Sequence, residues 1–249
     1  MSRRDGWHGF DDIEDDYAML DPIKLTITTP GIDDEGRAQE LGIPAAIVTN
    51  YLIDHGIVCE KTDYYSFLLL NSLGTTRAKQ GTLLAELLKF KEMFDENRPL
   101  CEVFPELVSS YPERYGSCGL RDHAQEMHRY LVRRRMLGKM QAAFEVIPRQ
   151  ELKPADAYRE VVRRNVEYLH LDQMRGRIPA VMIVPYPPGI PVAMGGELLD
   201  GDSDAILDYL LARQDFENAF PGYEGDIHGV ERDVVNGKTF FKTLCIKSR

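Results

Sequence analysis

Several kinds of segment are missing from this 249-residue sequence. There is no run of about 20 apolar residues, the length that a membrane-spanning helix needs. Arg3-Arg4 is followed by Asp-Gly-Trp-His instead of an apolar stretch, so no secretory signal is predicted. The four cysteines lie far apart without a C-x-x-C pair, which favours neither a disulfide framework nor a metal site. We therefore expect a soluble, cytoplasmic protein with no membrane partner.

Basic residues are fewer than acidic ones, since the chain has 30 Lys and Arg and 40 Asp and Glu. Proteins that bind nucleic acid usually have the opposite balance, so we predict no nucleic-acid partner. Motifs that identify a hydrolase, a zinc protease or a dinucleotide site (G-x-S-x-G, H-E-x-x-H, G-x-G-x-x-G) are absent. His123 and His128 are five residues apart and share no helical face, so we interpret them as surface residues. Spacing alone predicts no reaction.

The first part of the chain shows an α+β pattern. Residues 23–28 alternate between apolar and polar, which is typical of a half-buried strand. A helix is predicted from Pro44 to Gly56, and strands at 57–61 and 67–73 follow. The last of these strands is almost wholly apolar, which favours a central position in the sheet.

A long helix completes this first unit. Thr75 or Thr76 is its predicted N-cap, and it ends before Asn97-Arg98-Pro99, since a residue before proline avoids the helical region. The predicted order is β-α-β-β-α over residues 1–98, with the first 20 residues as a lead-in. We place a domain boundary near residue 98.

Residues 99–249 predict a second α+β domain. Apolar periodicity predicts helices at 120–131 and 157–166, then a strand at 178–184. Ser203 is predicted to cap another helix. Asn236-Gly237 between two β-rich runs predicts a hairpin at the end of the chain.

The stretch from Arg177 to Glu197 is rich in proline, with Pro185, Pro187, Pro188 and Pro191. Each proline fixes φ and removes an N–H donor, so this segment must run extended. A stiff loop beside the core either lines a site or only covers the core. Both interpretations are open at this point.

Glu60 stands out in the otherwise apolar predicted strand Gly56-Ile57-Val58-Cys59-Glu60. A carboxylate in such a place needs water, a cationic partner or a ligand. Pairing with a neighbouring Lys or Arg is the simpler interpretation from residue types alone.

Eight short motifs carry a family resemblance. In chain order they are Trp7-His8-Gly9-Phe10, Met19-Leu20-Asp21-Pro22-Ile23-Lys24, Thr28-Thr29-Pro30-Gly31, Gly42-Ile43-Pro44-Ala45-Ala46, Gly56-Ile57-Val58 with Glu60-Lys61-Thr62, Val184-Pro185-Tyr186-Pro187-Pro188-Gly189-Ile190-Pro191, Phe220-Pro221-Gly222 and Asp226-Ile227-His228-Gly229. They resemble, in this order, the C-terminal third of the bacterial ornithine, lysine and arginine decarboxylases, which are pyridoxal-phosphate enzymes of the aspartate aminotransferase fold type. The likeness covers nearly the whole chain.

The resemblance implies a role for each part. Residues 1–98 match the small subdomain of the aminotransferase-like fold, and residues 99–249 match the family's own C-terminal domain. It also implies that Glu60 meets the distal amine of the substrate, as in lysine and ornithine enzymes. A carboxylate opposite an ammonium selects a diamino acid over a neutral one.

The resemblance also implies that the proline-rich loop could line a pocket. Its possible pocket-lining residues are Tyr186, Pro188, Gly189 and Glu197. It further implies exposed oligomer surfaces, so a homo-oligomer is expected. The partner would be the large cofactor-binding domain or an intact decarboxylase.

Two departures limit what carries over. The family's Schiff-base lysine follows a histidine, and this sequence has no His-Lys dipeptide and no large cofactor domain. Gly195 replaces a proline that usually precedes Gly-Glu. We therefore expect no catalytic or covalent cofactor residue in this chain. Three hypotheses follow: the C-terminal part of a decarboxylase, a non-catalytic protein that binds intact decarboxylases, or an inert remnant.

The missing His-Lys dipeptide generates a prediction. We expect the purified chain, mixed with pyridoxal phosphate, to form no specific Schiff base, because such a lysine needs a surrounding cofactor pocket to set its position and pKa. Borohydride reduction followed by peptide mass analysis measures this. One lysine labelled stoichiometrically at micromolar cofactor would contradict the prediction.

Overall fold

The computed structural model describes residues 14–19, 21–33, 35–186 and 188–247. Most of the predicted N-terminal lead-in, with Trp7 and Phe10, lies outside the described residues, as does Pro187. The described part is a mixed α+β structure with small antiparallel sheets, as predicted. Within it, no helix combines the length and the apolar character required to cross a bilayer.

The helices of the described residues are short except for three of 14 or more residues. They are α1 (Ala45–Asp54), α2 (Arg77–Asp95), α3 (Leu100–Val103), α4 (Pro105–Ser110), α5 (Pro112–Tyr115), α6 (Leu120–Arg133), α7 (Met136–Glu145), α8 (Pro154–Val162) and α9 (Asp204–Ala219). Thr76 caps α2 by accepting a hydrogen bond from the Lys79 backbone N–H, which confirms one of the two predicted caps.

The strands pair into two three-stranded sheets and two short ribbons, all antiparallel. They are β1 (Lys24–Thr28), β2 (Lys61–Thr62), β3 (Ser66–Leu70), β4 (Arg149–Gln150), β5 (Val166–His170), β6 (Val184–Pro185), β7 (Glu197–Leu198), β8 (Ile227–His228), β9 (Val230–Val235) and β10 (Lys238–Ile246). The order β1-β3-β2 puts β3 at the centre of the first sheet, which confirms the prediction from its apolar sequence.

The C-terminal hairpin is also confirmed. Asn236 and Gly237 have φ values of 52° and 75° and connect β9 to β10 with Val235 opposite Lys238. A two-residue turn with both residues in the left-handed region matches the right-handed twist of the paired strands.

Several predicted elements are shorter than expected. Residues 57–59 form no strand, because the Ile57 N–H still bonds to the Leu52 carbonyl at the end of α1, so only Lys61–Thr62 pairs with β3. Similarly, only Val184 of the predicted strand 178–184 lies in a ladder, as the first residue of β6, with isolated bridges before it. Prolines within and just after this segment remove donors that a continuous ladder needs.

The helix predicted at 157–166 ends at Val162 instead. Arg164 has a φ of 58°, which reverses the chain, and Val166 begins β5. Ser203 precedes α9 as predicted, but its hydroxyl donates to the Leu198 carbonyl and does not cap the helix.

Two clusters of buried apolar side chains form the core. The first draws on α1, β3, α6 and the second half of α9, and the second on α9's first half, β10 and the loops that precede α9. The first cluster therefore uses residues from both sides of residue 98. The helix α9 contributes to both clusters and connects them.

The prediction that His123 and His128 lie at the surface is wrong, because both are buried on α6. The His128 ring contacts the Tyr65 hydroxyl at 2.7 Å and the Gln39 carbonyl oxygen at 2.9 Å. The His123 Nε2 lies 3.0 Å from the Tyr223 hydroxyl, whereas its Nδ1 has no hydrogen-bond partner in the described part of the chain. Tertiary contacts thus place both rings inside, although they occupy different faces.

Burial of His123, assisted by the nearby Arg114 guanidinium, lowers the pKa of the imidazole to about 4. The unfolded chain binds a proton near pH 6.5 and the folded chain does not, so stability is present above about pH 6.5 and falls as the pH drops toward 4. We expect a loss of about 2 to 3 kcal/mol across that window. His123→Gln should flatten this dependence, and the exposed His228→Gln should not, when urea unfolding is measured at several pH values. Parallel curves for wild type and His123→Gln would contradict the assignment.

Exposed apolar side chains on the first unit generate another prediction. Leu84 and Leu88 form one exposed stripe along α2, and Val58 and Leu73 are also exposed. Apolar patches of this kind usually bind partners or self-associate. We expect concentration-dependent self-association in sedimentation velocity, reduced by Leu84→Gln with Leu88→Gln but not by the hairpin variant Val234→Gln. A monomer at high concentration that binds no hydrophobic dye would contradict this.

Candidate functional site

A cleft of about 270 Å³ lies between the first sheet, α1, α6, α9 and the loop before β8. Its lining includes several charged or hydroxyl-bearing side chains: Glu60, Lys61, Asp63, Tyr64, Tyr186, Arg213, Glu224 and Asp226. Four segments that are distant in sequence therefore meet at one place.

Glu60 is exposed at this cleft, immediately before β2. Its backbone N–H donates to the Leu68 carbonyl at 2.8 Å, which fixes its position next to the central strand. Its carboxylate makes no hydrogen bond or ion pair with any residue that the structure describes. The ammonium of the adjacent Lys61 donates to the Pro188 carbonyl at 3.3 Å. The expected simple pairing of Glu60 with Lys61 is not what the geometry shows.

The proline-rich loop reaches the cleft through Tyr186. The Tyr186 N–H donates to the Asp226 carbonyl at 2.8 Å, and its ring lies 4.9 Å from the His228 ring. Gly189 has a φ of +81°, and a Cβ at that position would lie 2.7 Å from the Tyr186 ring. Gly189 therefore lets the loop fold back closely on Tyr186, and Pro188 links the same loop to Lys61.

Glu197 lies elsewhere. It belongs to β7, which pairs with β4, and its carboxylate accepts a hydrogen bond from the Met194 N–H at 2.7 Å. The lining of the cleft does not include it. The structure thus brings Glu60, Lys61, Tyr186 and Pro188 together and leaves Glu197 outside that group.

The sequence analysis missed the buried polar residues of the cleft. Arg213 is 6% exposed on α9, and its guanidinium donates to the Tyr209 hydroxyl at 3.3 Å and to the Tyr186 carbonyl at 3.5 Å. Burial raises the pKa of the Asp63 carboxyl and raises that of Tyr64 well above its usual value. A charged pair spaced i, i+4 within the apolar run of α9, Arg213 and Glu217, was the available signal.

Glu217 organises the loop beside the cleft. It is buried, and its two carboxylate oxygens accept hydrogen bonds from the Arg232 guanidinium at 2.8 Å each. One oxygen also accepts the Gly225 N–H at 3.1 Å, and Arg232 donates to the Gly225 carbonyl. This bidentate pair fixes the backbone at Gly225 against α9.

The cleft does not suit pyridoxal phosphate. Its described lining carries four carboxylates against two cations, which disfavours a phosphate dianion. Its lysine, Lys61, is exposed with its ammonium on the Pro188 carbonyl instead of in a cofactor pocket. The described residues also contain no group of three or more side chains arranged to hold a metal ion.

Comparisons with known proteins match two ranges of the chain. Residues 1–79 match the family model described as Orn/Lys/Arg decarboxylase, major domain, and residues 138–247 match Orn/Lys/Arg decarboxylase, C-terminal domain. The chain belongs to the Orn/Lys/Arg decarboxylase family. The resemblance inferred from the eight sequence motifs is confirmed.

Relatives within the Orn/Lys/Arg decarboxylase family include enzymes named for each of the three substrates. The chain is 44% identical to the lysine decarboxylase LdcA of Pseudomonas aeruginosa over 97% of its own length and 32% of that protein's. It is 38% identical to the biodegradative arginine decarboxylase of Escherichia coli, over 100% of its own length and 32% of that protein's. The chain spans about a third of the length of these curated relatives.

Solved structures of the family show the same fold. The constitutive lysine decarboxylase of Escherichia coli superposes with a TM-score of 0.90 at 38% identity, covering 99% of this chain and 34% of that one. Lysine decarboxylase A from Pseudomonas aeruginosa gives 0.87 at 44% identity, covering 97% and 32%.

Proposed function

We propose that this chain acts as the C-terminal part of a pyridoxal-phosphate-dependent decarboxylase of basic amino acids, with lysine or ornithine favoured over arginine. Residues 1–98 are the small subdomain and residues 99–249 the C-terminal domain in this proposal. Another polypeptide segment, the large domain, would bind the cofactor, because the cleft does not suit it. The setting would be the cytoplasm.

The role proposed for Glu60 rests on one observation. Its carboxylate is exposed at the cleft and has no partner among the described residues. A carboxylate in that state is available to an incoming ammonium. Lysine and ornithine end in a compact ammonium, whereas arginine ends in a wide guanidinium fork that needs a different set of acceptors. Tyr186 and Pro188, with Gly189 behind the Tyr186 ring, would line the path beside it.

A second function is favoured by the exposed apolar residues of the first unit, among them Val58 at 77% exposure. In this alternative the chain catalyses nothing and uses that surface to associate with intact decarboxylases. Co-purification with a full-length relative, at equal decarboxylase activity with and without the chain, would support this alternative.

The main proposal is tested by supplying the large cofactor-binding domain, through co-expression of this chain with the upstream two-thirds of a close relative. Glu60→Gln keeps the shape and removes the charge. Loss of one charge-assisted hydrogen bond should lower kcat/KM for lysine or ornithine by about 10- to 150-fold, which corresponds to about 1.5 to 3 kcal/mol. Steady-state kinetics on lysine, ornithine and arginine measure the effect.

The matched control is Glu113→Gln, an exposed carboxylate on α5 outside the cleft, which should leave all three rates unchanged. Equal kcat/KM values for wild type and Glu60→Gln on every substrate would refute the role of Glu60. If the wild-type chain co-expressed with the upstream part of a relative decarboxylates none of the three substrates, the proposed function itself is refuted.

A further inference from the structure

A second cleft lies between the first half of α2, the first sheet and the segment that follows α1. We call it the α2 groove, and its lining consists of Leu25, residues 55–58, residues 69–71 and several residues of 75–83. Its volume of about 520 Å³ falls within the roughly 300 to 1,000 Å³ of pockets that bind small ligands. The α2 groove shares no lining residue with the cleft that contains Glu60.

One wall of the α2 groove is apolar. Leu25 of β1 lies opposite Leu69 of β3, so the two side chains share a face of the first sheet, and Leu83 of α2 lies across from them. Leu25 is 43% exposed and Leu70 is 45% exposed, which leaves apolar surface open to a ligand. Each methylene group of a ligand that leaves water on such a surface binds more favourably.

The hydrogen-bonding side chains of the α2 groove come from one short segment, Asn71 to Gln80, at the start of α2. The Thr75 hydroxyl accepts the Ser72 N–H at 2.9 Å. The side-chain amides of Asn71 and Gln80 and the ammonium of Lys79 make no hydrogen bond or ion pair with any residue that the structure describes. Amides and an ammonium are donors, so this segment offers several free N–H groups to an acceptor.

No carboxylate belongs to the described lining of the α2 groove, although the chain has 40 acidic residues and a formal net charge of -10. The acidic residue that contacts the lining residue His55 is Glu86, at 3.7 Å from its Nε2 atom. The Glu86 carboxylate accepts the Tyr51 hydroxyl at 2.6 Å, which holds it behind His55 and outside the groove. Lys79 therefore gives the groove a sign opposite to that of the whole protein.

We propose that the α2 groove binds a free monocarboxylic acid with an unbranched alkyl chain. The ligand carboxylate lies on the Lys79 ammonium and the Asn71 and Gln80 amides, and its alkyl chain lies along the wall that includes Leu25 and Leu69. An apolar wall beside free donors, without a carboxylate, is complementary to an amphiphilic anion. This site goes beyond the function proposed above, because it uses none of the residues that line the Glu60 cleft and needs no large domain.

A ligand series on the wild-type 249-residue chain tests the proposal without any mutation. Isothermal titration compares octanoate, hexanoate and octylammonium, each below its micelle concentration. We expect one octanoate per chain, with at least about 4-fold tighter binding than hexanoate, because two more methylene groups leave water. Octanoate should also bind about 10-fold more tightly than octylammonium, since Lys79 attracts one head group and repels the other. Non-specific binding would give the reverse order, because a protein of net charge -10 attracts the cation.

Two variants of exposed α2 residues locate the ligand. Lys79→Gln keeps a polar side chain and removes the charge, so the preference for octanoate over octylammonium should fall to about 2-fold or less. Thr82→Trp puts a ring into the groove, so it should weaken octanoate binding by about 10-fold or more through loss of the apolar surface. Circular dichroism checks that each variant is folded.

The matched control for charge is Lys91→Gln, an exposed ammonium near the other end of α2 that is paired with Asp95. The control for apolar surface is Leu84→Gln with Leu88→Gln, on the exposed stripe outside the groove. Both should bind octanoate with the affinity and the preference of the wild type. Loss of binding in the Leu84 and Leu88 variant would place the ligand on that stripe and would overturn the proposal.

The proposal is also overturned if the wild type does not bind octanoate, or if it binds octylammonium as tightly or more tightly. A folded Lys79→Gln protein with an unchanged preference, or a folded Thr82→Trp protein with an unchanged affinity, would contradict it as well. If Thr82→Trp does not fold, the wild-type series and Lys79→Gln decide. Because these titrations use the chain alone and residues outside the Glu60 cleft, their outcome is independent of the decarboxylation kinetics with the co-expressed large domain.

Discussion

The helix α9 is the element on which the rest of the structure depends, because its two halves belong to different cores. Ile206 and Leu210 pack in the second cluster, and Ala212 and Phe216 pack in the first. A helix rigidly transmits its geometry over its length, so the relative position of the two clusters is set by one element. Arg213 and Glu217 lie on the buried side of α9 where it enters the first cluster, and both must therefore satisfy their charges inside the protein.

Glu217 meets this requirement through an ion pair with Arg232, whereas Arg213 relies on hydrogen bonds to the Tyr209 hydroxyl and the Tyr186 carbonyl and on the nearby Glu217 and Asp63 carboxylates. The fork of Arg232 gives Glu217 two parallel hydrogen bonds, and Gly225 gives it a third. A buried pair of this kind seldom adds much net stability, but losing one partner leaves a buried charge at a cost of about 3 to 5 kcal/mol. The pair consequently positions the loop at Gly225, and this loop in turn forms one wall of the cleft and receives the Tyr186 N–H.

Local sequence signals predicted the parts of the fold in which propensity and tertiary contacts agree. The alternation of apolar and polar residues predicted β1, the apolar run at 67–73 predicted the central strand β3, and Asn236-Gly237 predicted the hairpin. The segments 57–61 and 178–184 have β-rich composition, but helix-end hydrogen bonds in the first and prolines in the second occupy or remove the donors that a ladder needs.

The candidate site was predictable only in part, for a related reason. Glu60 could be singled out because it contrasts with its apolar neighbours in sequence, and Tyr186 because it lies in a motif of the family resemblance. The positions of His123 and Arg213 depend on which partners surround them, and a single sequence does not contain that information. His123 was predicted at the surface and lies inside against Tyr223, while Arg213 was not singled out in the sequence.

The exposure of Glu60 limits what its carboxylate can recognise by itself. An exposed carboxylate facing an ammonium in water contributes about 0 to 1 kcal/mol, too little to choose between substrates. Glu60 is exposed in this chain, so in the proposed function it would discriminate strongly only where another part of the enzyme covers the cleft and excludes water. Val58, two residues before it, is an exposed apolar side chain on the same segment and is suited to contact such a cover. In the proposed function, recognition of the substrate ammonium by Glu60 would therefore depend on assembly of the larger enzyme.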